Sequence, residues 1–407
     1  MLEHLKVIEL GQVIAGTFGG MILSDLGAEV IKVESPTGDP GRRSGIYGVG
    51  DESAIHLTLN RNKKSVVLDL KTRGGRAVLL DLVRRSDAVI ENFRPGVLER
   101  LGVSYDTMRE VNPGIVLVSV SGFGTNSPYR DFPAYDLILQ AMSGHMSIMG
   151  EEGRPPVIMG IPIADLQAGV FSALAALAGI EGRRHSGRGT HFDVAMFDVM
   201  VQMLAHVGTL FLNTGIEQKP QGSAHPFITP WQAFRCADGQ YIVVAPREEH
   251  FWQRLTQALG RPEMGANPEF ANAKSRQANR DVLLPLLESY FAAKPAQEWL
   301  DVLRAAGVPA ALVNALSQVF DDPHIAARNM VRGHEGPGEV RAVGNAIKVE
   351  GRAEAPMQPA PSLGEDTLEV ATSVLGYGEE RVRELTDEGA FGSRTPEPAP
   401  RAEEVSP

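Results

Sequence analysis

Strand-like and helix-like stretches alternate from residue 1 to about residue 120, and no other feature restricts the fold as strongly. "HLKVIELG" reads as a buried strand, "GTFGGMILSDLGA" as a helix of small residues and "EVIKVESP" as a second strand. "KSVVLDL", "DAVIENF" and "GIVLVSVSGFG" continue as strands, separated by the amphipathic "TRGGRAVLLDLVRRS" and the helical "GVLERLGVSYDTMREV". Strands that alternate with helices form a parallel sheet covered by those helices. The expected class is therefore α/β, with a Rossmann-like large domain.

After Asp165 the pattern turns helical. "THFDVAMFDVMVQMLAHVGTLFLNTG" is apolar nearly all round, so it is expected to be buried or packed on a partner. Gly and Pro break the regularity in "IEQKPQGSAHPFITPWQAF", which reads as a linker. A second unit follows, in which "GQYIVVAP" is a strand and "EEHFWQRLTQALG" and "RDVLLPLLESYFAAK" are helices. The expected division is a large domain over 1–200, a linker over 201–232 and a smaller α+β domain over 233–318. A second linker covers 319–338, and a C-terminal part, 339–392, returns to the large domain. The Pro- and Glu-rich tail, 393–407, is expected to be disordered.

Composition narrows the partners. The formal net charge of −11 gives no global field for nucleic acid or an anionic membrane. A single cysteine, Cys236, excludes an internal disulfide and fits a reducing compartment. The chain opens on a strand-like segment rather than a basic and apolar leader. Apolar runs such as Val170–Ile180 are too short to cross a bilayer. A soluble, cytoplasmic protein with no membrane partner is expected. The ten histidines form no H-E-x-x-H and there is no C-x-x-C, so no metal site is expected. The G-x-S-x-G elbow of α/β-hydrolases is absent too.

Several positions carry candidate chemistry. Gly11, Gly16, Gly19 and Gly20 lie after the first strand, and Glu34 ends the second, where a dinucleotide's ribose would be held. Their spacing lacks the tight G-x-G, so close approach of helix to sheet is the favoured reading. Asn92 and Phe93 end a buried strand, where ligands of open α/β sheets lie, and Pro95 starts a helix behind them. Arg94, Arg100, Arg42, Arg43 and "NRNKKS" add positive charge at strand ends and loops. Asp165 opens a greasy helix, either as a cap for its first N–H groups or as a nucleophile, and both readings stand. Asp136 reads as a cap of its own helix, and His145 and His225 sit in Gly- or Pro-containing loops.

Taken in order, the segments "LGAEVIKVE", "NRNKKSVVLDLK", "ENFRPGVLERLG", "VSVSGFG", "YDLILQAMSGHMSIMG", "GIPIADLQAG", "GRGTHFDVAMFD", "HPFITPWQAF" and "DDPHIAARNM" resemble the class III CoA-transferases. That is the family of formyl-CoA transferase and carnitine CoA-transferase, to which alpha-methylacyl-CoA racemase is related. The resemblance implies that Asp165 is the catalytic aspartate and that coenzyme A binds around Val13, Ile14 and Ala15, at Asn92 and Phe93, and at Arg100. Arg42 and Tyr135 join the expected coenzyme A-binding set. Family members often carry Gln at the position of Ile14, so backbone amides become the expected oxyanion donors here, and some carry Lys at the position of Ser121, so that phosphate contact is expected to be missing.

The family also implies aspartyl anhydride and aspartyl-CoA thioester intermediates, no tightly bound cofactor, acyl-CoA as substrate and an interlocked homodimer. An ordinary aspartate, with a pKa of about 3.9, would be ionised at pH 7. Racemases place His where this chain has Tyr135, and a phenol of ordinary pKa near ~10 is a poor base, so transfer is favoured over epimerisation. An acyl-CoA epimerase remains the alternative, and a nicotinamide-dependent oxidoreductase a remote one. "SAHPFITPWQAF" replaces the longer glycine-rich loop of formyl-CoA transferase, which points to dicarboxylates such as succinate or malate. Arg42, His145 and His225 are the candidates for a second carboxylate.

Overall fold

The computed structural model describes residues 1–43, 48–49, 52–333 and 340–392. The expected tail over 393–407 and part of the linker over 319–338 lie outside them. Two compact units are present. One comprises Met1–Ser143, Met159–Ala205 and the described residues from Arg328 onward; the other comprises Gly144–Ile158 and His206–Ala327. The segment Gly144–Ile158 thus belongs to the second unit, although nothing in its sequence separates it from the flanking chain.

The first unit is built on strands β1 (Lys6–Glu9), β2 (Glu29–Glu34), β3 (Lys63–Val67), β4 (Ala88–Glu91), β5 (Val116–Ser121) and β6 (His191–Ala195). They form one six-stranded sheet in the order β3-β2-β1-β4-β5-β6. Every pairing in it is parallel. This is the doubly wound order, whose direction reverses between β1 and β4 and leaves a crevice beyond their carboxyl ends.

Successive strand residues point to opposite faces, so each strand feeds two cores. Val7, Val30, Ile90 and Val118 face helices α1 (Ala15–Asp25) and, later in the chain, Ile163–Ser186. Ile8, Ile31, Val89 and Leu117 face α2 (Arg73–Arg84), α3 (Tyr105–Val111) and C-terminal residues Val370, Leu375 and Leu385. The open edge of β3 is covered by that C-terminal segment. Asp366 accepts the Ser65 N–H at 2.7 Å and the Thr367 hydroxyl accepts the Val67 N–H at 3.0 Å. Covering the edge removes a template for unwanted strand pairing.

Two further helices matter for the site: α4 (Asp136–Met142) and α5 (Ile163–Ser186). α5 corrects one expectation, because its 24 residues are long and apolar enough to cross a membrane by length and composition. The sequence reading stopped at Val170–Ile180, whereas Ala and Gly continue the apolar run and the charges Arg183 and Arg184 come only in the last turn. Ala168, Ser172, Ala176 and Ile180 are buried in the core, as befits a crossover helix covering a sheet.

In the second unit, β7 (Gln232–Arg235), β8 (Tyr241–Val244) and β9 (Ala310–Leu312) form a three-stranded antiparallel sheet. Its core gathers Phe234, Trp252, Leu287, Phe291 and Trp299, with the Phe234 and Phe291 rings stacked at 4.6 Å. The apolar helix α6 (Met196–Met203) of the first unit buries Val199 and Met200. α7 (Ala205–Thr214), which from His206 onward belongs to the second unit, buries none of its residues.

Candidate active site

At the reversal point, β1 runs into a turn that is tied down from two sides. The Asn92 side chain accepts the Gln12 N–H at 2.7 Å and donates to the Gln12 carbonyl at 2.9 Å. The Asp39 carboxylate accepts the N–H of Val13 at 3.0 Å and that of Gly41 at 2.7 Å. Val13 itself has φ +57°, a left-handed conformation that is strained for a β-branched residue. Such strain costs about 1–3 kcal/mol and persists only where surrounding contacts over-determine it.

Those contacts rest on buried charge. Lys32, fully buried on β2, bonds Glu9 at 2.9 Å, the Gly11 carbonyl at 2.8 Å and Asp39 at 2.8 Å. Lys63 reaches the other Glu9 oxygen at 2.6 Å and the Thr17 carbonyl at 2.9 Å. The glycines make room for this network. A Cβ on Gly20 would stand 1.8 Å from Glu9, which agrees with the close-approach reading of the glycine run.

The turn delivers the chain to α1, whose N-cap Ile14 places no side-chain hydrogen bond on the helix start. The first amides of a helix lack partners within it, so Ala15 and its successors present backbone N–H groups at the crevice. The N–H of Val13 is already held by Asp39. Phe93 borders a cavity of about 170 Å³ at the carboxyl ends of the strands, together with Gly11, Gln12, Ser35 and Lys71. Lys71 was missed by sequence reasoning. Its only sequence mark is its place just before Thr72, the cap of α2.

Arg42 is drawn elsewhere. Its guanidinium grips Glu34 through two bonds of 2.7 Å and also donates to the Pro361 carbonyl. Burial alone would raise the Glu34 carboxyl, but Arg42, Lys32 and Ser65 hold it at about 2. Glu34 also accepts the Asp39 N–H, so its oxygens are committed to the protein and not available to a ribose. Arg100 is exposed and reaches back over the Pro95–Gly96 turn. A Cβ on Gly96 would meet the Arg100 guanidinium at 3.3 Å and that of Arg130 at 3.6 Å, which identifies a second arginine that the sequence did not single out. Ser121 bonds the Gly124 N–H in a local turn.

Asp165 lies in the first turn of α5, but it is not the cap. The N-cap is Pro162, and the free Ala164 N–H is taken at 2.6 Å by Asp136 from the start of α4. Asp136 therefore caps a neighbouring helix and not its own. Its second oxygen accepts the Gln140 amide at 2.5 Å, and Gln140 in turn accepts the Met159 N–H at 2.9 Å. No hydrogen bond to the Asp165 carboxyl is formed among the described residues. Burial, reinforced by the neighbouring Asp136 charge, lifts Asp165 to about 7. The expectation of a fully ionised acid at neutral pH is corrected accordingly.

Packing brings this acid to the crevice. A Cβ on Gly169 would stand 2.8 Å from Phe18 and 2.9 Å from the Ala15 carbonyl, and one on Gly19 would clash with Ser172. α1 and α5 thus run side by side in one direction. One turn before Gly169, Asp165 comes level with the turn through Val13 and Ile14. Gly160 has open space around it, so no close approach is made there. Tyr135, the N-cap of α4, is 72% exposed. In the second unit, His225 accepts the Phe227 N–H at 3.1 Å and rests against the Trp231 ring at 5.2 Å, while His145 begins a short helix.

The family model for CoA-transferase family III matches residues 2–367. An acetyl-CoA:oxalate CoA-transferase of Acetobacter aceti is 39% identical over 89% of this chain and 93% of its own length. A succinyl-CoA:mesaconate CoA-transferase of Haloarcula hispanica is 36% identical over 94% and 98%. Among solved structures, a CAIB/BAIF family protein from Brucella suis superposes with a TM-score of 0.83 at 34% identity, covering 92% of this chain and 99% of that one.

Proposed function

The chain belongs to CoA-transferase family III and is an enzyme of that class, and from this premise we propose that it moves coenzyme A between carboxylic acids through covalent intermediates on Asp165. The observation that carries the proposal is the Asp165 carboxyl itself, half-buried and without a hydrogen bond among the described residues, one turn before the close approach of α5 to the start of α1. A carboxylate stripped of solvent and partners is a stronger nucleophile than one in water.

In its ionised form Asp165 attacks the acyl-CoA carbonyl, and the tetrahedral oxyanion is met by backbone N–H groups at the start of α1. The C–S bond breaks, leaving an aspartyl–acyl anhydride and coenzyme A thiolate. The thiolate attacks the aspartyl carbonyl, the donor acid leaves as its carboxylate, and an aspartyl-CoA thioester remains. The acceptor carboxylate then attacks that thioester and releases the thiolate, which attacks the acceptor's carbonyl and restores Asp165. No net proton is transferred, so no base is required. Anhydrides hydrolyse readily, and partial burial of the acid limits the access of water.

Coenzyme A contacts are assigned to Val13–Ala15, Asn92, Phe93 and Arg100. The acceptor is proposed to be a dicarboxylate, since the relatives' names include oxalate and mesaconate. A homodimer fits the apolar side chains left outside each unit, with Leu174 60% exposed on α5 and Leu212 82% exposed on α7. The test is a screen of mono- and dicarboxylic acids with acetyl-, succinyl- and oxalyl-CoA donors, read by mass spectrometry of the new CoA esters. Transfer to dicarboxylates, lost in Asp165→Asn, supports the proposal. Deuterium entry at the α-carbon of an acyl-CoA without any acceptor acid would replace it with epimerisation.

A further inference from the structure

Three neighbouring strands place a buried acid, a hydroxyl and an imidazole in one row. Glu91 ends β4, Ser119 stands opposite it in the β4–β5 register, and His191 begins β6. One Glu91 oxygen accepts the Phe93 N–H at 2.7 Å, and the Ser119 hydroxyl lies beside the same carboxyl and opposes the rise of its pKa. Ser119 Oγ and His191 Nε2 are 2.9 Å apart. Glu91 is 4% exposed, whereas His191 is an exposed residue whose ring leans on Tyr105 at 5.2 Å. A cavity of about 40 Å³ runs beside the row, bounded by Pro95, Gly96, Glu99 and Thr125.

The position of Glu91 gives the row its consequence. It immediately precedes Asn92, which clamps the Gln12 turn, and its carboxyl fixes the backbone of Phe93. A hydrogen bond to an ionised acceptor is roughly twice as strong as one to a neutral acceptor. The charge on Glu91 therefore sets how firmly the Asn92–Phe93 backbone, which carries that clamp, is held. We infer that Glu91 is a positioning residue for coenzyme A, and that the Glu91–Ser119–His191 row is a proton-operated latch which loosens the coenzyme's seat when Glu91 takes up a proton. This rests on the reading of Asn92 and Phe93 as coenzyme A contacts.

With Glu91 ionised, all donors point toward it: His191 Nε2–H to Ser119, Ser119 O–H to Glu91, and Phe93 N–H to Glu91. Proton uptake reverses the row. Solvent protonates His191 at Nδ1, the Nε2 proton passes to Ser119, and the Ser119 proton passes to Glu91. One proton enters, the imidazole ends as its other neutral tautomer, and Phe93 is left on a neutral acceptor. Burial lifts Glu91 to about 7, with Glu99 and Asp193 adding like charge while Ser119 and the Phe93 amide oppose the shift. The other groups facing it among the described residues are His191, Arg94 and Tyr105. Asp193 is itself bonded to the Thr125 amide and hydroxyl.

Calorimetric titration of the full chain with coenzyme A between pH 6 and 8.5 tests this, using wild type, Glu91→Gln, Ser119→Ala and Asn92→Ala. The 3′-phosphate of coenzyme A titrates near pH ~6 and contributes equally to every variant, so differences from wild type are read. Wild-type affinity is expected to fall about tenfold more than that of Glu91→Gln between pH 8 and pH 6, the equivalent of one pKa unit of linkage. Ser119→Ala should keep the dependence with its midpoint moved to higher pH, because a donor to the ionised acid is gone. In turnover, Glu91→Gln should raise KM for acyl-CoA by a larger factor than it lowers kcat. A Glu91→Gln profile parallel to wild type, weakened equally at both pH values, would overturn the latch even where Asn92→Ala weakens binding. Wild-type affinity in Asn92→Ala would instead remove the coenzyme A contact itself, and the latch with it.

Discussion

The two ends of the crevice treat buried charge in opposite ways. At the turn through Val13, every buried ion has partners: Glu9 lies between Lys32 and Lys63, and Asp39 holds Lys32, Val13 and Gly41. At the start of α5, Asp165 is half-buried with no hydrogen bond among the described residues and a second acid, Asp136, close enough to raise it. The first arrangement fixes a strained backbone turn, while the second leaves one carboxyl without a partner, as the proposed nucleophilic role requires. Hydrogen bonds are thus distributed unequally between adjoining helices, which separates the rigid turn from the proposed nucleophile.

The contrast can be broken from either side, and the reactive side should give the largest effect. Asp165→Ala should lower turnover by about 10⁴ or more, as loss of a covalent nucleophile does, with the circular dichroism spectrum unchanged. On the rigid side, Lys32→Met leaves Glu9 and Asp39 short of a counter-charge. It should destabilise the first unit by about 3–5 kcal/mol in urea unfolding, the usual result of stripping one partner from a buried ion set.

A smaller effect separates the two sides by sign. Because folding raises the Asp165 pKa, the folded chain binds its proton more tightly than the unfolded chain. The stabilisation this brings is complete below about pH 4 and is lost as pH rises through about 7. Asp165→Asn should therefore unfold at a Tm a few degrees above wild type at pH 8 and match it near pH 4, while Lys32→Met is weaker at both. The smallest change concerns rate. Transfer should rise with pH through about 7 as Asp165 ionises, and Asp136→Asn, which keeps an acceptor for the Ala164 N–H, should move that midpoint down by less than one unit. An unmoved midpoint would show that burial alone sets the Asp165 pKa.

The sheet was legible because its strands are short apolar runs bounded by Gly, Asn and Pro, and because strands that alternate with helices admit few topologies. Asn92 and Phe93 could be placed at the crevice for the same reason, as residues that end a strand beside the reversal point. The behaviour of individual side chains was less legible. Arg42 read as a ligand-binding cation, yet Glu34 lies eight residues earlier and takes its guanidinium in a geometry that no spacing rule reveals. Asp136 read as the cap of its own helix, and Asp165 as a cap or a nucleophile. The structure gives the capping bond to Asp136 from another helix and leaves Asp165 without a hydrogen bond among the described residues, a trade that depends on how α4 meets α5. Lys71 and Arg130 carry no local signature, because a cation in a loop becomes a site residue only through what folds around it.

The most direct measurement is to mix the enzyme with a donor acyl-CoA in the absence of acceptor, quench within one turnover, digest and locate the modification by mass spectrometry. The peptide containing Asp165 should carry coenzyme A as a thioester on that side chain, discharged on adding a dicarboxylate. A labelled peptide elsewhere in the chain, or full turnover with Asp165 never modified, would contradict the covalent role of this carboxyl.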